Sequence, residues 1–148
     1  MEGLTPIKFT CRCYAFILNA HREVLVMKEF WSGTHLNKLP GGGQELGEGM
    51  HQCLNRELQE EFAKHQSCTW RHLFTPEHAF VSKFRPDEQL ILNYFVANEE
   101  AKTEAWELIA GDANLLGMEW LPLLPENTLW FTLEADQLAF KALLDHLG

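Results

Sequence analysis

The stretch Gly42-Gly43-Gln44-Glu45-Leu46-Gly47-Glu48-Gly49-Met50-His51-Gln52-Cys53-Leu54-Asn55-Arg56-Glu57-Leu58-Gln59-Glu60-Glu61-Phe62-Ala63 decides how this chain is read. It follows the spacing Gly-x5-Glu-x7-Arg-Glu-Leu-x-Glu-Glu-x-Ala, which gathers Glu48, Glu57, Glu60 and Glu61 around one loop and the helix after it. Helical residues step by about 100°, so Glu57, Glu60 and Glu61 fall within roughly a quarter of the circumference. Like charges three and four apart destabilise a bare helix, and Glu57 lies too far past a helix start near Gly49 for the helix dipole to compensate. A cation is therefore expected at this patch. Mg2+ takes oxygen ligands, keeps several waters and is held by few carboxylates together with substrate phosphates, which suits a short acidic cluster.

The same projection sets Met50, Leu54, Leu58 and Phe62 on an apolar stripe beside the acids, with Cys53 flanking it. The carboxylates thus border the buried face, whereas a merely solvated acidic face would lie opposite the stripe. Upstream, Leu39-Pro40-Gly41-Gly42-Gly43 opens a glycine-rich loop whose backbone can come near a metal or phosphate. The planar guanidinium of Arg56 is suited to hold neighbouring carboxylates, with Glu48 its natural partner.

Working outward, the 148 residues read as a single domain, 1–148, large enough to bury a core. A formal charge of −9 disfavours general nucleic-acid binding, which needs a basic footprint. The sequence shows no apolar run of membrane-spanning length and no signal core, which predicts a cytoplasmic protein. Cys11, Cys13, Cys53 and Cys68 lack zinc spacing and read as reduced thiols; His35, His51 and His65 lack ligand spacing. Residues 8–18 predict a strand that turns at Asn19–Arg22 into a second, Val24–Met27, as a hairpin. Residues 30–37 read as a loop, the box helix as 49–65, and further strands as 68–75, 78–84, 89–97 and 117–122. Residues 99–113 have mixed character, a loop with one or two helical turns. Thr132 is expected to cap a C-terminal helix with Glu134 and Asp136 in its first turn. Strands mixed with two amphipathic helices predict an α/β/α sandwich with a mixed sheet.

Over residues 38–63 the chain resembles the Nudix box, the signature of hydrolases that cleave nucleoside diphosphates linked to another group. The family's terminal glycine is Ala63 here, and Lys64 replaces an apolar residue. The resemblance implies the Nudix fold and a MutT-like pyrophosphohydrolase using Mg2+, or Mn2+ in its place. It implies Glu57, Glu60 and Glu61 as metal ligands, with the carbonyl of Gly42 contributing and Arg56 with Glu48 steadying the cluster. Glu57, Glu99, Glu100 and Glu119 are candidates for the general base. The implied partner is a small nucleotide or nucleoside diphosphate derivative; a homodimer stays open. A non-catalytic Nudix domain that binds a nucleotide or a protein is the competing reading. Trp31, Trp70, Phe80, Phe84, Tyr94 and Trp106 are candidates to stack a base.

Overall fold

The computed structural model describes residues 5–148. In chain order the elements are β1 (Lys8–Phe16), β2 (Glu23–Trp31), β3 (Thr34–Lys38), β4 (Gly41–Gly43), α1 (Met50–Glu61), β5 (Phe62–Lys64), β6 (Trp70–Phe74), β7 (Phe80–Val81), β8 (Glu88–Ala97), β9 (Glu107–Leu108), β10 (Leu115–Pro122) and α2 (Glu134–Leu147), with short 3-10 turns at Thr103–Ala105 and Pro125–Trp130. A mixed sheet runs β4-β1-β8-β6, with β7 also on β8; a second runs β10-β2-β3, and β5 pairs with β9. The family's mixed-sheet α/β architecture is the one observed.

β1 and β8 run parallel at the centre, and a parallel pair needs both faces covered. Side-chain alternation supplies this. Cys13, Ala15 and Ile17 pack with Cys53, Leu54 and Leu58 of α1, while Tyr14 and Phe16 pack with Ala135, Ala139, Phe140 and Leu143 of α2. The sheet is thereby held between the two helices. Burial of Leu54 and Leu58 contributes about 1.5–3 kcal/mol each.

Several sequence expectations need correction. β1 and β2 meet only at a stub, the Leu18–Val24 bridge, and then enter different sheets, so the expected hairpin is not made. The expected loop at 30–37 is a hairpin instead: β2 and β3 pair from Trp31–Thr34 onward, around Ser32 and Gly33 at φ 49° and 78°. Two successive positive φ values are the mark of a type I′ turn, whose twist matches that of paired strands. The box helix stops at Glu61, four residues early, because Phe62 is extended at φ −123°, ψ 131° and the chain pairs with Glu107–Leu108. Ala63 is therefore an exposed strand residue, and the left-handed helix exit expected of glycine is absent. Thr132 does not cap α2, whose N-cap is Leu133 without a side-chain bond. Its hydroxyl accepts from the Asn37 amide at 2.8 Å, tying the start of α2 to β3.

Candidate active site

Gln52 caps the start of α1 by accepting from the Gly49 amide at 2.6 Å. Between β4 and α1, the box loop is clamped by Arg56, which donates to both Glu48 carboxylate oxygens at 3.0 and 2.7 Å and to the Gly43 carbonyl at 2.7 Å. These bonds hold the Glu48 carboxyl down to about 2, the Arg56 bond being the largest cause, and raise Arg56 above its ordinary value. Glu48 also accepts from the Glu45 amide at 2.8 Å.

The clamp presents the loop glycines to the acids of α1. Gly41, at φ +140°, has no room for a side chain: a Cβ there would lie 2.1 Å from the Cys13 carbonyl. A Cβ on Gly42 would lie 2.3 Å from Glu57 Oε1, so the Glu57 carboxylate rests on bare backbone. Glu61 is buried and accepts from the Gly41 amide at 3.1 Å. Burial pushes the Glu61 carboxyl up to about 8 despite Lys38, and burial, then Glu60, raises Glu57.

Glu57 and Glu61 are brought together at the Gly41–Gly42 backbone; Glu60 is not. Its side chain is 55% exposed, against 14% for Glu57, and both its oxygens accept from Arg56 Nη1 at 3.2 Å. The Gly42 carbonyl faces Cys53, whose Sγ lies 3.7 Å away. Among the described residues no three His, Cys, Asp or Glu side chains converge at ligand spacing.

Glu57 and Glu61 form one wall of a cavity of about 600 Å3, within the range of small-molecule sites. Its floor is the face of the central sheet carrying Thr10, Arg12 and Tyr14; Glu29 and Lys38 come from β2 and β3, and Asp136 from the first turn of α2. Trp31, Phe80 and Phe84 line it, whereas Trp70, Tyr94 and Trp106 are buried in the core. Of the base candidates, only Glu57 lines it. Glu99 is bound by Thr69 through two bonds of 2.7 Å, Glu119 pairs with Lys28 at 3.8 Å, and Glu100 is exposed. The three box-flanking histidines pack on Phe30, Phe95 and Trp106.

Arg12 and Glu29 were not singled out from sequence, and Asp136 was read only as a first-turn acid of the C-terminal helix. Asp136 accepts from the Tyr94 hydroxyl at 2.5 Å, and burial pushes its carboxyl up to about 6. For Arg12 a signal exists: it shares the alternation of Tyr14 and Phe16, so its side chain is directed inward.

A family model described as NUDIX domain matches residues 10–135. Among solved structures, the fold is similar to the MutT protein of Methanosarcina mazei Go1 (19% identity, 95% of each chain covered, TM-score 0.71) and to the E. coli ORF135 protein (20%, 94% of this chain and 91% of that one, 0.68). It is also similar to a bifunctional NMN adenylyltransferase/ADP ribose pyrophosphatase from Francisella tularensis complexed with AMP and a Mn ion (19%, 97% and 44%, 0.69). No curated protein matches the chain. No helix among the described residues is long and apolar enough to cross a membrane.

Proposed function

The chain belongs to the Nudix family, and from that premise we propose that it is a divalent-metal-dependent pyrophosphohydrolase. It cleaves the diphosphate linkage of a nucleoside triphosphate or nucleoside diphosphate derivative by attack of water at phosphorus. The observation that carries this reading is the convergence of Glu57 and Glu61 on the glycine backbone at the wall of a ligand-sized cavity.

The donor set is all hard oxygen, which fits Mg2+ or Mn2+. Glu57 and Glu61 would hold the ion, joined by Glu60 and the Gly42 carbonyl. When bound, it supplies charge neutralisation at the phosphoryl oxygens and a more acidic water. The chain's own groups do the rest. Arg56 with Glu48 locks the loop against α1, so Glu57 and Glu61 are already positioned at the glycine backbone, whereas Glu60 would have to leave Arg56 to join them. Glu57 Oε1 is held by Arg56 Nη1 at 3.2 Å, which leaves Oε2 to accept a proton from the attacking water. The non-catalytic alternative drew on the altered Ala63-Lys64 end, and that end lies in a strand with Ala63 exposed.

A panel of nucleoside triphosphates, nucleotide sugars, ADP-ribose and dinucleoside polyphosphates, with and without Mg2+, tests the reading. Turnover in heavy-oxygen water is expected to label a phosphate-containing product. Products free of phosphate-bound label, or no turnover on any panel member, would reject the hydrolase.

A further inference from the structure

Four cations outside the 42–63 box line the cavity, Arg12, Lys38, Lys83 and Arg85; Lys83 is exposed and Arg85 is exposed and paired with Glu88 at 3.4 Å, which leaves Arg12 and Lys38 as the two that are not exposed. Lys38 reaches the cavity from the end of β3 with a side chain only 10% exposed, and its amine makes one long bond, 3.4 Å to Glu29 Oε1. A buried ammonium has three donors and is costly to leave under-bonded. Arg12 rises from β1, opposite Gly43 in the ladder. It spends Nε–H on the Tyr14 hydroxyl at 2.6 Å and lies over that ring at 5.6 Å. Among the described residues its outer nitrogens make no hydrogen bond, and no carboxylate lies within ion-pair distance. Nη1 lies 3.6 Å from where a Cβ on Gly43 would sit, so the guanidinium borders the box loop. Both side chains line the same cavity as Glu57 and Glu61.

We infer that Arg12 and Lys38 form an anion subsite for a terminal phosphoryl group, which selects a nucleoside triphosphate over a nucleoside diphosphate joined to an uncharged sugar. This rests on the hydrolase reading for its place in a reaction, though not for its chemistry. Near neutral pH a terminal phosphoryl group brings about two negative charges and three acceptor oxygens. The outer edge of a guanidinium matches two of those oxygens, and an ammonium adds a point charge with free donors. An uncharged sugar offers hydroxyls to the same donors but brings no negative charge, so it gains no ion pair with them. Glu29 lies 3.4 Å from the Lys38 amine, which an incoming phosphoryl group would have to share, and Glu88 and Asp136 line other parts of the wall. Arg12 and Lys38 are the two lining cations that are not exposed, and the phosphoryl group is placed against them.

The test compares kcat/KM for GTP and GDP-mannose, which share a base, in wild type, Arg12→Gln, Lys38→Met and Arg12→Lys. The ratio of triphosphate to nucleotide-sugar activity is expected to fall at least about tenfold in Arg12→Gln and Lys38→Met, through KM rather than kcat, with partial recovery in Arg12→Lys. A merely structural role would depress both substrates together. A ratio unchanged within about twofold, or a wild type that prefers the nucleotide sugar, overturns the inference. Should Arg12→Gln not fold, Lys38→Met carries the comparison. Calorimetric titration with inorganic tripolyphosphate separates the two readings. If wild type hydrolyses nothing yet binds tripolyphosphate at least about tenfold more tightly than the variants, the subsite stands and the hydrolase falls. Equal affinity across wild type and variants rejects the subsite, whatever the turnover.

Discussion

At the scale of single residues the site is a contrast between two carboxylates. Glu48 is held charged by Arg56, whereas burial pushes Glu61 up to about 8. Glu57→Gln and Glu61→Gln are expected to lower kcat at least about a hundredfold with unchanged circular dichroism, since each removes charge stabilisation worth several kcal/mol from the transition state. Glutamine at 61 keeps an acceptor for the Gly41 amide, so loss of turnover would report chemistry and not folding. Glu45→Gln should cost less than about threefold, because its contact to Arg56 is a 3.7 Å pair with a side chain 67% exposed. Near-normal rates in both box variants at saturating substrate and Mg2+ would remove the box as the catalytic centre.

The raised acids also set a pH dependence. Glu61 and Asp136 have folded pKa values above their ordinary ones, so the native state binds more protons than the unfolded chain between about 4 and 8. Metal-free stability therefore falls as pH rises through that window. A divalent ion favours charged Glu61, so the rise in Tm on adding Mg2+ is expected to be greater near about pH 9 than near about pH 6. Thermal melts at both pH values with EDTA and with Mg2+ check this; a Tm gain that shrinks with rising pH contradicts it.

At the scale of elements, the exit of α1 is the informative case. The ordinary end of the motif has glycine where this chain has Ala63, which lies in a strand at a register shift between Phe62 and Lys64, the two residues that pair with β9. Ala63→Gly is thus expected to leave turnover unchanged and to cost about 0.5–1 kcal/mol in denaturant unfolding, the usual penalty for glycine within regular structure. A gain in stability would mean that position 63 adopts a backbone conformation that favours glycine, against the extended strand described. The β2–β3 hairpin makes the opposite demand. Gly33 sits at φ +78°, so Gly33→Val is expected to cost about 1–2 kcal/mol through backbone strain alone. Because Trp31 and Lys38 flank the cavity from these two strands, that variant should also raise KM, measured on whichever panel substrate is turned over.

At the scale of the whole molecule, the cavity exists only because four separate parts of the chain meet. The box loop and α1, the β2–β3 hairpin, the segment 80–85 and the first turn of α2 close around one face of the central sheet. Two long-range ties hold this frame, Asn37 to Thr132 and Tyr94 to Asp136. Metal and nucleotide are expected to raise Tm together by more than the sum of their separate effects, since each would bind only the closed frame and the ion would join phosphates to carboxylates. Additive or smaller shifts in a thermal melt would mean separate sites.

The sequence by itself determined the family, the box helix with its acidic edge beside Leu54 and Leu58, and the Arg56–Glu48 clamp. These depend on spacing along one short segment, where helical periodicity converts position directly into shared face. It also placed β8 and β10 and the turn at Arg85–Glu88, because runs of strand formers bounded by turn residues are local signals. Only the tertiary structure decided that β1 and β2 part into different sheets, that Ser32-Gly33 closes a hairpin, and that helix α1 yields to a strand at Phe62. In each case pairing with a distant segment outweighed local preference, and partner choice is not written in either strand alone. The same holds for the site. Glu61 became the buried acid and Glu60 the exposed one because the Gly41 amide waits on one side of α1 and Arg56 on the other. Arg12, Lys38 and Asp136 lie far apart in sequence, and only sheet registry and the packing of α2 bring them to one cavity.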